Sequence, residues 1–370
     1  MSTVRRALAV LLALFGGAAQ AADTTARIGA ALSLTGDAAV YGATQKNGIL
    51  LAVEEVKSRL PPGVKLEVVI EDDGSSKPQA INVYQRFINQ QKVSAIIGPT
   101  LSTMATAADP IAQMAKVPVV AVSNTAAKGI TDIGEWIWRV SLMEKQVVPG
   151  AMKTAQQRLG FKTAGVLYGN DDVFTKAGYD VMKTTLDHLG VKVLGTQTFA
   201  RPDRDFNAQL TSLQALQPDI LVVSALAENA SAIVAQARQL GWKGPILGGN
   251  GFNSPAFIKN AGPAAEGVLV GTSWNSASPA PANVKFKQAM AARGFTADQF
   301  AAQAYTGVLV IAEAIQHAGG KTGRDDIRAG LTKVKDLDTP LGKFSFTEAR
   351  DGQHEPAVQI VKNGKFEILQ

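Results

Sequence analysis

The run VSAIIGPTLSTMATAADPIAQMAKVPVVAV, residues 93–122, decides the architecture. Val93–Gly98 reads as a short strand, Ser102–Ala115 as a helix and Pro118–Val122 as a second strand. A strand that returns through a helix to another strand makes a parallel pair with a right-handed crossover. The same alternation extends upstream. Arg27–Leu34 and Val64–Glu71 read as strands and Pro78–Gln91 as a helix. Gly42–Leu60 places Ile49, Val53, Val56 and Leu60 on one helical face and is stopped by Pro61-Pro62.

The pattern restarts after Met143. Glu144–Leu159 and Val173–Leu189 read as helices around a strand at Thr163–Tyr168, and the alternation runs on to Gly267–Thr272. Beyond a Ser/Pro/Ala stretch at Asn275–Ala282 come helices at Asn283–Arg293, Ala297–Ala318 and Arg324–Val334. Short β segments follow at Lys343–Phe346, Ala357–Val361 and Phe366–Leu369, the last two joined by Lys362-Asn363-Gly364, a hairpin signal. The expectation is an α/β protein of two Rossmann-like lobes with parallel central sheets, joined by a hinge of several chain crossings. The division falls at residues 24–143 plus 274–345 against 144–273 plus 346–370, after a signal peptide over residues 1–21. That leader has Arg5 and Arg6 before the apolar run Ala7–Phe15, then Ala19-Gln20-Ala21 for cleavage after Ala21. The apolar run is shorter than the roughly 20 residues of a spanning helix, so an exported, periplasmic protein is expected.

A chain of 370 residues with 46% hydrophobic and 18% charged residues can bury two cores. Net charge is +6, but the basic residues are scattered and interleaved with Asp and Glu, which argues against a nucleic-acid partner. With no cysteine, thiol nucleophiles, Cys zinc sites and iron–sulfur clusters are excluded. His188, His317 and His354 lack metal-ligand spacing, and no nucleophile–base or phosphate-loop motif occurs, so neither enzyme activity nor a cofactor or metal is expected. Asp72-Asp73 leads into a loop and a helix N-cap at Gly74-Ser75-Ser76.

Binding chemistry concentrates at strand ends. Gly98–Thr103 joins a strand to a helix start, where free N–H groups and the helix dipole meet the hydroxyls of Ser102 and Thr103. The next strand end supplies Ser123-Asn124-Thr125. Such hydroxyls can simply cap helices, yet two consecutive strand ends of this kind favour a carboxylate. Tyr41 belongs to the same edge, and Phe174, Leu226 and Asn250 stand at corresponding positions of the second half. Together they outline a mostly apolar pocket with a few polar groups.

Ile28–Gly36, Tyr41-Gly42, Glu71-Asp72-Asp73, Ile96-Ile97-Gly98-Pro99, Tyr168–Asp171 and Ala264–Val268 together resemble the branched-chain amino-acid binding proteins, the type I periplasmic components of ABC transporters. The resemblance spans the chain beyond the leader. It implies a type I periplasmic-binding fold, a partner inner-membrane permease and a ligand carboxylate held by Ser102, Ser123 and Thr125. It also assigns aromatic ligand contacts to Tyr41, Phe174 and Tyr305. Asn250 stands where amino-acid binders of the family place an acid for the ligand ammonium, and Leu226 near a tyrosine of theirs. An uncompensated ammonium in a closed cleft costs on the order of several kcal/mol. A hydrophobic amino acid, with Glu228 or Asp171 as substitute partner, and an aromatic or organic acid without an amine both remain open, as does a sensor of the same fold.

Overall fold

A computed structural model describes residues 24–369; the leader and its cleavage site lie outside the described residues. The first half runs β1 (Thr24–Leu32), α1 (Ala39–Val56), β2 (Val64–Asp72), α2 (Lys77–Asn89), β3 (Ala95–Ile97), α3 (Ser102–Met114), β4 (Val119–Ala121) and β5 (Ile137–Arg139). Its strands are all parallel, in the order β2-β1-β3-β4-β5. The second half runs α4 (Glu144–Leu159), β6 (Thr163–Gly169), α5 (Val173–His188), β7 (Lys192–Phe199), α6 (Asn207–Gln214), β8 (Ile220–Ser224), α7 (Ala227–Gln239), β9 (Ile246–Gly248), α8 (Pro255–Ala261) and β10 (Leu269–Thr272). The order β7-β6-β8-β9-β10 repeats the topology of the first sheet, again parallel. In each sheet the strand order reverses beside the first strand, the switch point where a crevice opens at the carboxyl ends.

The chain then returns to the first lobe with α9 (Pro281–Ala292), α10 (Gln299–His317) and α11 (Arg324–Leu331). A small antiparallel sheet of β11 (Leu337–Thr339), β12 (Gly342–Phe346) and β13 (Gly352–Gln353) follows. Last come β14 (Ala357–Lys362), which extends the second sheet antiparallel to β10, and β15 (Lys365–Ile368), antiparallel to β14 in a terminal hairpin. Asn363 and Gly364 both have positive φ, 52° and 69°, as the two-residue hairpin turn demands.

One apolar cluster fills the space between the first sheet, α1 and α10, with Ile28, Ile97, Val120, Val308 and Ile311 at its centre. α10 is covered on nearly all sides; Glu313, Gln316 and His317 are its less buried residues. It lies so close to α1 that a Cβ at Gly48 would come within 2.2 Å of the Ala301 carbonyl oxygen. A separate cluster fills the α4–α5 side of the second sheet. The remaining cluster is continuous between the lobes, with Tyr41, Leu101 and Phe300 of the first against Phe174, Leu226 and Phe252 of the second.

The last crossing is tied to the first lobe by Arg139. Its guanidinium donates to Asp351 Oδ1 at 2.9 and 2.6 Å and to the Asn124 and Ala126 carbonyls, fully buried. Element ends depart modestly from the sequence reading. α1 starts at Ala39 rather than Gly42 and ends at Val56 rather than Leu60. Ser76 occupies the N-cap of α2 but makes no capping bond through its side chain. The sequence reading did not place β5 and β11, each three residues long.

Candidate functional site

On the first lobe, the carboxyl ends of β1, β3 and β4 are laced together by side chains. The Gln45 amide, from α1, donates to Ser123 Oγ at 2.7 Å and accepts from Thr100 Oγ1 at 2.7 Å. Thr100 Oγ1 in turn accepts the Ser33 N–H, and Ser123 Oγ donates to the Thr100 carbonyl at 2.6 Å. The Asp72 carboxylate collects the N–H groups of Leu34, Thr35 and Gly74 and the Thr35 hydroxyl, so it shapes the loop before α1. These hydrogen bonds hold its carboxyl below the usual range against the opposing effect of burial, the largest single influence on it. Asp73 accepts from Ser33 Oγ and the Ser75 N–H. The acid pair is scaffolding.

The frame presents the first turn of α3. Its leading N–H groups have no carbonyl four residues back, and the helix dipole makes them attractive to an anion. Ser102, 2% exposed, has only a long 3.5 Å contact from the Ala126 N–H, so its hydroxyl hydrogen is free to point into the cleft.

The opposite wall comes from α5, α7 and the turn after β9: Phe174, Leu226, Asn250 and Gly251. Asn250 belongs to a chain of amides. Gln299 Nε2 donates to Asn250 Oδ1 at 2.9 Å, and Asn253 Nδ2 reaches the same oxygen at 3.3 Å. Gln299 Oε1 accepts the Ser273 N–H at 2.7 Å and the Thr272 hydroxyl at 2.9 Å. Asn253 Nδ2 also donates to the carbonyls of Gly271 and Asn250, and its Oδ1 accepts from Gln359 at 2.5 Å.

The lobes meet. Tyr41 Oη accepts the Ala227 N–H at 2.6 Å and donates to the Gly251 carbonyl at 2.7 Å, while its ring lies 4.4 Å from that of Phe300. Burial pushes this phenol far up, so it stays neutral. Thr103 Oγ1 donates to Asp172 Oδ2 at 2.6 Å and accepts the Val173 N–H at 2.8 Å. Arg201 makes a two-pronged ion pair with Asp37 and reaches the Ser75 carbonyl. Glu144, at the first crossing, accepts from Thr125 Oγ1 at 3.0 Å and from the Asn250 N–H. Burial outweighs both bonds and raises its carboxyl to about 7.

What remains between the walls is a space of about 20 Å³, lined by Tyr41, Thr100, Leu101, Ser102, Ser123, Phe174, Leu226, Asn250, Gly251 and Phe300. That is room for about one water and far below the several hundred Å³ of a ligand pocket, so admitting a guest requires the lobes to move apart. None of the lining residues is acidic. Larger hollows of about 790 and 560 Å³ lie by α4–α5 and by α9 and β15, outside the space between Ser102 and Asn250. Among the described residues no cluster of His, Asp or Glu suits a metal ion, and no helix is long and apolar enough to cross a membrane.

Six residues singled out from sequence come together here: Tyr41, Ser102, Ser123, Phe174, Leu226 and Asn250. Two do not. The Thr125 hydroxyl turns to Glu144. Tyr305 faces away, its ring against Phe286 and its hydroxyl donating to Glu55, and Phe300 supplies the α10 aromatic instead. Ser123 lines the space, but its hydroxyl proton is already given to Thr100. Neither substitute acid lines the cleft: Glu228 pairs with Arg204, and Asp171 accepts the Arg201 N–H on the surface. Thr100, Leu101 and Phe300 escaped the sequence reading, although Thr100 and Leu101 lie inside the strand-to-helix junction it singled out.

The fold and a cleft built at facing strand ends are those of a two-lobe solute receptor. Residues 25–365 match the family described as periplasmic binding protein, and the chain belongs to that family. It is 29% identical over 346 residues, covering 93% of this chain and 91% of the relative, to a leucine-, isoleucine-, valine-, threonine- and alanine-binding protein of Pseudomonas aeruginosa. A leucine binding protein from Thermotoga maritima superposes with a TM-score of 0.88 at 29% identity, covering 93% of this chain and 97% of the other. A branched-chain amino acid transporter substrate binding protein from Streptococcus pneumoniae, solved with isoleucine, gives 0.86 at 26% identity, covering 94% and 99%.

Proposed function

We propose that this protein is the periplasmic substrate-binding component of an ABC importer. It closes two lobes on a small carboxylate with an apolar body and presents it to an inner-membrane permease. Export with cleavage after Ala21 and lobes divided at residues 143/144 and 273/274 belong to this reading; the last division is placed after β13 rather than at 345/346, because β13 pairs with β12. The observation that carries it is the meeting of the first turn of α3 and Ser102 with the apolar wall of Leu101, Phe174, Leu226 and Phe300. A helix start attracts the carboxylate, and the apolar walls take up the side group. Relatives named for leucine, isoleucine and valine support a hydrophobic amino acid as guest. The lack of an acidic lining residue favours the second candidate, an aromatic or organic acid without an amine. No lining residue is a histidine that could activate Ser102, so catalysis plays no part in this reading.

Titration calorimetry against leucine, phenylalanine, benzoate and 4-methylpentanoate tests it. At least one should bind, and Ser102→Ala should weaken that binding by about 10-fold or more, the worth of one hydrogen bond to a charged group. Thermal stability of the unliganded protein should barely change, because the hydroxyl makes only one long contact. Unchanged affinity combined with early melting would make Ser102 a structural cap.

A further inference from the structure

We infer that the amide chain through Gln299 and Asn253 locks Asn250 as a hydrogen-bond donor toward the cleft, and so selects carboxylates that carry a hydroxyl or carbonyl oxygen rather than an ammonium. The inference rests on the receptor reading above and narrows its ligand class. An amide side chain can rotate by half a turn and exchange donor for acceptor, so its polarity is set by its neighbours. Here those neighbours are anchored to backbone, which cannot rotate. The Ser273 N–H fixes Oε1 of Gln299, so Gln299 turns its Nε2 to Asn250 Oδ1. The carbonyls of Gly271 and Asn250 fix Nδ2 of Asn253, which also faces Asn250 Oδ1. With two donors on its oxygen, Asn250 cannot turn over without setting N–H against N–H. Its Nδ2 bonds to no protein atom among the described residues, and Asn250 lines the interlobe space.

A guest anchored at the first turn of α3 therefore meets an N–H group across the cleft. An oxygen of the guest accepts from it. An ammonium would oppose it, with no carboxylate in the lining to compensate. Gln299 touches no guest. It is a positioning residue that acts through Asn250.

Matched acids that differ only at the carbon next to the carboxylate test this: L-leucine, 2-hydroxy-4-methylpentanoate and 2-oxo-4-methylpentanoate, with phenylalanine, phenyllactate and phenylpyruvate as an aromatic set. In calorimetry the oxygen-bearing acid of the preferred set should bind about 100-fold or more tighter than its amino acid, as expected when a site's hydrogen-bonding group loses its partner. Gln299→Glu replaces the nearer of the two donors, at 2.9 Å, by a charged acceptor that outweighs the Asn253 N–H left at 3.3 Å, so Asn250 turns over and presents Oδ1 to the cleft, and the preference should shrink or reverse. Asn250→Asp, which leaves Gln299 in place, should shift it the same way and covers the case of a poorly folding Gln299→Glu. If leucine or phenylalanine binds the natural protein as tightly as its oxygen-bearing counterpart, the inference fails while the carboxylate receptor stands. A ratio unchanged in a folded variant also sinks it. If no acid of either kind binds, the receptor reading itself falls, and this inference with it.

Discussion

At the scale of single residues, the same chemical type does different work according to where its hydrogen atoms go. Ser102 and Ser123 both line the cleft, yet Ser123 has given its proton to the Thr100 carbonyl and braces the wall, while Ser102 keeps its own. Glu144 shows the cost of such a junction. Its carboxyl, usually near 4.5, is raised to about 7 by burial, and one oxygen has no partner. The folded chain therefore holds a proton that the unfolded chain releases over this window, so Glu144 makes the fold less stable as pH rises from about 4.5 to about 7. Glu144→Gln keeps an acceptor for Thr125 and removes the titration. Chemical denaturation at pH 5 and pH 8 should show the natural protein losing about 1–3 kcal/mol more than the variant across that range. Equal losses would show that Glu144 stays ionised.

Elements explain which residues the sequence could place. Ser102, Leu226 and Asn250 stand just beyond ends of parallel strands, Tyr41 stands in the first turn of the helix that follows β1, and in an open α/β sheet those ends point to one crevice whatever the side-chain detail. Position along the chain was enough to find them. Tyr305 failed because a helix adds phase to position. It lies five residues after Phe300 on α10, about 140° around the helix, so one ring faces the cleft and the other the α1–α9 side. Periodicity could not choose between them in a helix buried on nearly all sides. The α1–α10 contact is equally specific. Gly48→Ala would push a methyl group to 2.2 Å from the Ala301 carbonyl, against backbone that has little room to give. It should cost about 1–3 kcal/mol in denaturant unfolding, despite alanine being the better helix former. A neutral or stabilising effect would mean that the two helices separate freely.

For the whole molecule, the question is how strongly the closed arrangement is held. Tyr41 joins α1 to two backbone groups of the other lobe, and Arg201 pairs with Asp37 across the gap. Tyr41→Phe leaves the ring against Phe300 but strands the Ala227 N–H and the Gly251 carbonyl. Two such bonds, at about 1 kcal/mol each, bias closure by about 10-fold or more. Small-angle scattering should show a larger radius of gyration for the variant, and ligand affinity should fall by a similar factor. An unchanged radius and affinity would assign closure to the apolar seam alone. The alternation of strands and helices, the repetition of the pattern in two halves and the cluster of hydroxyls at strand ends were all determined by sequence, because each depends on spacing along one chain. Which hydroxyl keeps its proton, which face of α10 meets the cleft and which way Asn250 points were decided only by tertiary structure. Each depends on a partner 20 to more than 200 residues away, such as Thr100 for Ser123, Gln299 for Asn250 and Gly251 for Tyr41, and no local pattern encodes such a meeting.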